Sequence, residues 1–415
     1  MDQLTTDQAA ARLGVKPETV YAYVSRGLLH STRAKDGRGS LFDPAEVEQL
    51  AARGSRNRPV RETGPVVRTA LTLIRDGRLR YRGLDAAELA EGHSFESVAT
   101  LLWSETPDPD ARFAAPARLV DLARAATAPL PAGTRLTDRL RVIVAVASSA
   151  DPERFNIQPD AVAGTGAALL ATMVDALPRL GPTPTGPTSA GTGPAPDGGD
   201  SLAARLWPRL TSQPPSAGAV RALNAALVLL ADHDLAASTF AARVAASARA
   251  HPYAVVAAGL SAFDGPLHGA AATQAHRLLA DAITTKDPFG VYAERLRVEG
   301  RVEGFFPGAH PLYPEGDVRA RALLRLLARV PTPPGVRAAV DGLLAAAGGR
   351  SPRLPNIEFA LAVLAHVCGM VPDAGEAVFA LARTAGWIAH ALEEYEEPGL
   401  RFRYQGTYVG PEPRP

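Results

Sequence analysis

Two histidines and one glutamate in the C-terminal half have the side chains and surroundings of a proton-handling site. His268 lies in the sequence GPLHG, His310 in GAHP and Glu358 in PNIE. Glycine, proline and asparagine turn the backbone and let it approach a ligand closely. A carboxylate can remove a proton from carbon, and imidazoles can hold the resulting enolate and polarise an acceptor carbonyl. The three segments therefore predict carbon–carbon bond chemistry.

The composition favours a large helical protein. The chain has 415 residues, which allows two or three domains. Hydrophobic residues make up 46% and aromatic residues only 6%, and the strong helix formers alanine and leucine dominate. The net charge of +1 gives the whole chain no strong attraction to nucleic acid or membranes. We therefore expect an all-α fold.

Simple counts exclude several other classes of protein. Cys368 is the only cysteine, so neither an intramolecular disulfide nor a cysteine-rich metal site is possible. No uninterrupted apolar run reaches the roughly 18 residues of a membrane span, and the first residues do not resemble a signal peptide. No metal-ligand motif or phosphate-binding loop is visible. The sequence predicts a cytoplasmic protein without a resident cofactor, metal or membrane association.

Residues 1–62 are predicted to form a small separate domain. Pro17 falls in the first turn of a second predicted helix, residues 30–41 form an expected hairpin, and a third helix starts near Asp43. This order is similar to the winged helix-turn-helix of the MerR and excisionase type. Residues 1–61 hold ten basic and seven acidic side chains, a net charge of only +3. Both DNA binding and a packing or oligomerisation role therefore stay open.

The remaining chain alternates Ala- and Leu-rich stretches with a few interruptions. A basic linker ends the first domain, residues 73–85 predict a hairpin with Asp-Gly at its turn, and residues 94–103 predict a helix. The Pro- and Gly-rich residues 181–200 cannot form a packed element and are interpreted as a surface loop. Apolar residues recur every three or four positions from Val220 and from Val378, which predicts buried helices.

The three segments around His268, His310 and Glu358 resemble motifs of the citrate synthase family in their order along the chain and in their sequences. GPLHG, the sequence PGAHPLYP around His310, and PNIEF around Glu358 are similar to the family's Gly-Pro-Leu-His-Gly, Pro-Gly-Phe-Gly-His-Pro-Leu-Tyr and Pro-Asn-Val-Asp-Phe. Two positions depart from the family. Glu358 stands where the family has aspartate, and Ala309 stands where it usually has Phe-Gly.

The resemblance implies a condensation of an acyl thioester with oxaloacetate, followed by hydrolysis that releases CoA. With acetyl-CoA as co-substrate the product is citrate. Glu358 would remove the proton, His268 would donate to the enol oxygen, and His310 would donate to the oxaloacetate carbonyl. His233, in DHDLAASTF, resembles a further oxaloacetate-binding histidine. From the residues alone, it could also be a core histidine of an Ala- and Leu-rich helix.

A dicarboxylate also needs cations, and guanidinium groups bind carboxylates with two hydrogen bonds. The resemblance implies Arg319 and Arg383 for this role, together with Arg401, which would reach the site of the partner subunit in a homodimer. The alignment is loose there, so Arg403 is the alternative. Arg319 and Arg383 could also be ordinary helix-surface arginines. The other histidines singled out match no catalytic position and are interpreted as structural: His251, His276, His366 and His390.

The side chain of Glu358 is longer than that of the family's aspartate, which changes the position of the carboxylate. The ordinary pKa values of Glu and Asp are close, about 4.3 and about 3.9, so acidity does not separate them. One extra methylene moves the carboxylate by about 1 Å, and such a displacement can cost about a hundredfold in rate. Either the backbone around Glu358 compensates, or this chain is a slow or altered synthase.

Two functions from different classes therefore stand. The first is a synthase acting on acetyl-CoA or another short acyl-CoA, with no signature that separates acetyl from propionyl. The second is a DNA-binding regulator that uses residues 1–62 and keeps a synthase fold as a metabolite sensor. The implied architecture is a citrate synthase-like two-domain helical fold preceded by a small winged helix-turn-helix. The large domain would comprise residues 63–265 and 362–415, and the small domain residues 266–361.

Overall fold

The computed structural model divides the chain into two compact units, Met1–Val67 and Arg68–Pro415. The further division of the second unit into a large and a small domain stays a prediction. The structure describes these residues: 4–13, 15–25, 27–33, 39–44, 46–47, 50, 67–181, 201–306, 312–349, 352–403 and 406–410. The predicted loop at residues 181–200 and His310 lie outside the described residues, Gly181 excepted.

The first unit has the predicted helix-turn-helix order. Its elements are β1 (Leu4–Thr5), α1 (Thr6–Leu13), α2 (Pro17–Ser25), β2 (Ser31–Arg33) and β3 (Ser40–Phe42). The three strands form one antiparallel sheet in the order β1-β3-β2, which confirms the predicted hairpin. Val20 and Phe42 are fully buried in a small core that joins the second helix to the sheet. Backbone at Pro44, Glu46 and Val47 is helical, as the sequence predicts.

The second unit begins with a three-stranded antiparallel sheet that is tied to the helical core. Its strands are β4 (Thr72–Arg75), β5 (Arg78–Tyr81) and β6 (Leu84–Asp85). Asp76 and Gly77 at the first turn have φ values of 54° and 65°, as a tight hairpin with the Asp-Gly sequence requires. The buried hydroxyl of Tyr81 lies 3.1 Å from the carbonyl oxygens of Val228 and Asp232. The hairpin is thereby fixed beside the segment that carries His233.

Helices build the rest of the described second unit. They are α3 (Ala86–Gly92), α4 (Phe95–Ser104), α5 (Ala117–Thr127), α6 (Leu136–Ala150), α7 (Pro159–Ala176), α8 (Leu202–Leu210), α9 (Ala217–Leu230), α10 (Ala237–Ser247), α11 (Pro252–Phe263), α12 (Ala271–Thr285), α13 (Pro288–Glu299), α14 (Val318–Leu327), α15 (Pro334–Ala347), α16 (Ile357–Val367) and α17 (Ala374–Glu396). The helix predicted after Ser94 is α4, and the Ser94 hydroxyl caps it by accepting from the Ser97 N–H.

Helix α17 is the centre of this unit. The positions predicted to be buried, such as Val378 and Ile388, are buried, and so are most residues on its other faces. Alanine and glycine dominate those faces, so neighbouring helices can pack against the backbone on every side. Helix α9 is buried over most of its length in the same way. No helix in the described ranges is long and apolar enough to cross a membrane.

Candidate active site

Glu358 lies in the first turn of α16, and two side chains fix the start of that helix. The Asn356 side chain accepts a hydrogen bond from the Phe359 N–H at 3.3 Å. The Asp317 carboxylate accepts from the Ile357 N–H at 3.1 Å. Burial raises the pKa of Glu358, and the positive charge of nearby Arg319 partly opposes this effect. A rigid, partly desolvated carboxylate of this kind is a better base than one in water.

Arg319 is held by Asp317 through two side-chain hydrogen bonds. Nε donates to Oδ1 at 3.0 Å and Nη2 donates to Oδ2 at 2.8 Å, and both residues are buried. Asp317 also caps α14, because Oδ1 accepts from the Arg319 N–H at 3.0 Å. The guanidinium carbon of Arg319 lies 5.8 Å from the centre of the Tyr313 ring. One carboxylate therefore positions both this cation and the helix that carries Glu358.

Arg383 is a buried guanidinium with two unused donors. Its Nε donates to the carbonyl oxygen of Leu230 at 2.9 Å, while Nη1 and Nη2 have no hydrogen-bond partner among the described residues. Burial lowers its pKa, against the opposing negative charge of Asp232. Gly386 makes this close packing possible, since a side chain there would collide with the Ala231 carbonyl oxygen and the Asp232 side chain. The two nitrogens are placed to receive an anion.

His268 lies on the turn between α11 and α12, against aromatic rings. Its ring centre is 5.0 Å from that of Phe263 and 5.7 Å from that of Phe379. Gly269 allows the turn to pack here, because a side chain at that position would overlap the Phe263 ring. Nε2 lies 2.8 Å from the Ser238 hydroxyl oxygen. Burial, with a contribution from the charge of Arg383, lowers the pKa of His268 to about 4, so the ring is neutral at neutral pH.

His233 lies in a loop and not on a helix, so that part of our prediction is wrong. Helix α9 ends at Leu230, and α10 begins at Ala237. Asp234 has a φ of 54°, which an α-helix does not accommodate, and the chain turns there despite its helix-favouring composition. His233 Nε2 lies 2.8 Å from the Tyr313 hydroxyl oxygen. This contact joins the predicted oxaloacetate histidine to the segment that leads into Arg319.

The structure brings five of the seven predicted site residues into one cluster. Arg383 changes the pKa of both His268 and Glu358, and Arg319 changes that of Glu358. His233 joins through Tyr313. Arg319 and Arg383 are 6% and 1% exposed, so the alternative that they are helix-surface arginines is wrong.

Arg401 is held inside its own chain. Its Nε and Nη2 donate to the two carboxylate oxygens of Glu394 at 2.7 and 2.6 Å. Glu394 also accepts from Arg243, whose Nη1 lies 2.8 Å from Nδ1 of His390. The other ring nitrogen of His390 lies 3.3 Å from Asp232, next to His233 in sequence. Arg403, the alternative residue, is exposed.

Three residues of this site were not singled out from the sequence, although all lie in segments that were. Asp317 stands two positions before Arg319, where an aspartate can cap a helix. Tyr313 ends the sequence HPLY, and Ser238 lies in the segment of His233. Ser238 contacts His268, 30 residues away, and Tyr313 contacts His233, 80 residues away. No local sequence pattern could reveal these two contacts.

The chemistry available to this cluster is anion binding combined with proton transfer. Two buried guanidinium groups could attract a carboxylate-bearing ligand, and only Arg319 has a carboxylate partner within hydrogen-bond distance among the described residues. A neutral imidazole can donate a hydrogen bond to a developing oxyanion without a change of its own charge. Glu358 can accept a proton from a group held beside it.

Comparison with known proteins identifies the family of this chain. Residues 61–405 match the family described as citrate synthase, C-terminal domain, and residues 4–55 match a helix-turn-helix domain. The chain belongs to the citrate synthase family. It is 28% identical over 370 residues to citrate synthase 2 of Bacillus subtilis, covering 83% of this chain and 93% of that one. It is 30% identical over 354 residues to 2-methylcitrate synthase of Mycobacterium tuberculosis, covering 81% and 86%.

Solved structures show the same fold. The citrate synthase of Pyrobaculum aerophilum superimposes with a TM-score of 0.68 at 21% identity, covering 92% of this chain and 95% of that one. The citrate synthase of Thermoplasma acidophilum, determined as a ternary complex with carboxymethyl coenzyme A and oxaloacetate, gives a TM-score of 0.67 at 23% identity, covering 87% and 97%.

Proposed function

We propose that this protein condenses acetyl-CoA, or another short acyl-CoA, with oxaloacetate to give citrate, or 2-methylcitrate from propionyl-CoA, and CoA. The observation that carries the proposal is the buried Arg383 guanidinium, with Nη1 and Nη2 unpartnered among the described residues. Leaving a buried donor unsatisfied costs about 1–3 kcal/mol. A ligand carboxylate would remove this cost, and the neighbouring base and imidazole suit the reaction.

Oxaloacetate would be held by the two arginines and by histidine donors. One carboxylate would bind to Nη1 and Nη2 of Arg383. Asp317 occupies Nε and Nη2 of Arg319, which leaves Nη1 for a substrate oxygen. His233 would donate to the same substrate. By resemblance, His310 would polarise the keto carbonyl.

The acyl-CoA would lose its proton to Glu358 while His268 stabilises the enol. We propose that the Ser238 hydroxyl donates to Nε2 of His268, 2.8 Å away. Nδ1 would then carry the ring proton and donate it as a hydrogen bond to the thioester oxygen. The enol carbon attacks the keto carbon of oxaloacetate, whose oxygen becomes an alkoxide and takes up one proton, which balances the proton that Glu358 removed. Water then cleaves the thioester, which gives the tricarboxylate and CoA.

CoA release tests this proposal. Purified full-length protein would be given oxaloacetate with acetyl-CoA, and in parallel with propionyl-CoA, while free thiol is measured. We expect turnover that falls by at least about a hundredfold in His268→Ala and is kept in His93→Ala, a histidine outside the cluster. Absence of turnover with either thioester, while oxaloacetate still stabilises the protein, would overturn the synthase and favour a sensor.

A second function is favoured by the surface of the first unit. Lys16 at the start of α2 and Arg33 on β2 are exposed, and Tyr21 on α2 is 52% exposed. In a winged helix-turn-helix these positions could contact DNA. The protein would then be a regulator whose DNA binding responds to oxaloacetate or acyl-CoA.

Fluorescence polarisation with labelled genomic DNA fragments and the full chain tests this second function. A response to oxaloacetate, and loss in Arg33→Gln but not in Arg325→Gln, would support it. Binding to all fragments with equal affinity, unaffected by either metabolite, would exclude it.

A homodimer is part of the first proposal, since a C-terminal arginine would then reach the site of the partner.

A further inference from the structure

Three arginines line an open cleft formed by the ends of α5 and α7 and the start of α6. The cleft has a volume of about 590 Å³. Arg124 and Arg179 are exposed, whereas Arg139 is only 8% exposed. No acidic side chain lines the cleft, and none pairs with these three arginines among the described residues. The lining residues are Arg124, Thr127, Ala128, Leu130, Ala132, Arg139, Ala176, Leu177, Pro178 and Arg179.

Two further arginines stand beside the cleft and share a single carboxylate. Arg205 donates to Asp175 from Nε at 3.2 Å, and Arg209 donates to the same carboxylate from Nη2 at 3.3 Å. Arg209 is 3% exposed, and its Nε has no hydrogen-bond partner among the described residues. Burial, opposed by the negative charge of Asp175 and aided by the positive charges of Arg179 and Arg124, lowers the pKa of Arg209 to about 10.

Backbone carbonyls at the helix ends account for part of this arrangement. Arg139 donates to the carbonyl oxygens of Thr127 at 3.1 Å and Pro131 at 2.8 Å, and Arg124 donates to that of Asp175 at 2.9 Å. Helix C-termini attract cations, but each carries only about half an elementary charge. Five guanidinium groups facing one carboxylate and two such helix ends leave an excess of positive charge.

We propose that this cleft binds a small organic phosphate with two or more phosphate oxyanion groups and an apolar body. Guanidinium forks match phosphate oxygens in bidentate geometry, and the ligand would supply the missing negative charge. The apolar body would contact the walls formed by Leu130, Leu177 and Pro178. A volume of this size falls in the range of about 300–1,000 Å³ that is typical of small-molecule sites.

The cleft is a different site from the candidate active site. The two share no residue: the cleft is built from α5, α6 and α7, whereas Glu358, Arg383 and His268 lie on α16, α17 and the turn after α11. The inference therefore does not depend on the proposed condensation. Occupancy of the cleft would stabilise the packing of α5 against α7.

Thermal unfolding of the full chain tests the proposal with ADP and inorganic pyrophosphate as probes. Both are added at millimolar concentration in EDTA, with sodium sulfate at equal ionic strength as the control for general screening. We expect ADP to raise the melting temperature by at least about 3 °C more than sulfate does, and pyrophosphate to raise it by less. The double variant Arg124→Gln/Arg179→Gln should lose this response, and Arg325→Gln/Arg329→Gln, which removes the same charge elsewhere, should keep it.

The outcomes separate cleanly. An ADP response no larger than that of sulfate, or one that is equal in the cleft double variant, would overturn the site. If the double variant does not fold, the single change Arg179→Gln replaces it, because this exposed side chain has no ion pair among the described residues. Calorimetric titration of ADP must then show at least about a fivefold loss of affinity in Arg179→Gln, and an unchanged affinity rejects the inference.

Discussion

Asp317 and Arg319 form a buried ion pair with two hydrogen bonds, and the same carboxylate holds the start of the helix that carries Glu358. Removing one partner of a buried pair leaves an uncompensated charge, which typically costs about 3–5 kcal/mol. We expect Asp317→Asn to lower the free energy of unfolding by about this amount and to lower kcat. Asp281→Asn, which breaks an ion pair with a half-exposed carboxylate, should cost about 1 kcal/mol or less.

Chemical denaturation and steady-state kinetics check this prediction together. If Asp317→Asn loses stability no more than the Asp281→Asn control, then Asp317 does not position the site as described.

Glu358→Asp tests whether the site is built around glutamate. The start of α16 is fixed by Asn356 and Asp317, so the backbone does not follow a shorter side chain. A carboxylate that withdraws by about 1 Å can lose about a hundredfold in rate, and we expect kcat to fall by roughly tenfold to a hundredfold. Glu358→Gln, which removes the base, sets the lower limit. A rise in kcat for Glu358→Asp would mean that the native chain is catalytically impaired.

Replacing Arg383 should stabilise the ligand-free protein and abolish its binding of oxaloacetate. Its burial lowers the pKa, and two of its donors lack partners among the described residues. We expect Arg383→Gln to keep or raise the melting temperature of the ligand-free protein by reducing this desolvation cost. Oxaloacetate should no longer stabilise the variant. The measurement is thermal unfolding with and without oxaloacetate, with the exposed Arg329→Gln as control; an oxaloacetate shift that survives in Arg383→Gln contradicts the assignment.

The lowered pKa of His268, about 4, sets the direction of a pH effect. The unfolded chain takes up a proton on this ring near its ordinary pKa of about 6.5. The folded chain resists protonation, so stability falls as the pH drops from about 6.5 to about 4. We expect His268→Asn to weaken this acid-induced loss in melting temperature. His276 has a similarly lowered pKa of about 4, so the difference between variant and parent is the informative quantity.

Arg401 and Arg403 should differ in what their removal changes. Arg401 is bound to the buried Glu394, so Arg401→Gln should lower the melting temperature. Arg403 is exposed, and in the proposed homodimer it would reach the partner subunit. We expect Arg403→Gln to raise KM for oxaloacetate at least about tenfold without changing the melting temperature. The opposite pattern would return the trans role to Arg401, and light scattering should show a dimer in both variants.

Much of this protein is determined by short-range sequence. The Asp-Gly turn at Asp76 and Gly77, the Ser94 cap of α4 and the order of the helix-turn-helix depend on residues within a few positions of each other. Local backbone preferences decide such features, so they can be read without a structure. The candidate catalytic residues could also be identified from the sequence, because each lies in a distinctive short segment.

Only the tertiary structure decided how those residues are used. The Arg383 guanidinium reaches a carbonyl 153 residues away and is left with two unpartnered nitrogens among the described residues. Arg401 finds a carboxylate in its own chain, and His233 leaves the helix that its neighbours favour. The arginines of the cleft come together from the ends of separate helices. Such outcomes depend on packing between distant segments, which determines burial and therefore the charge, pKa and partner of each group.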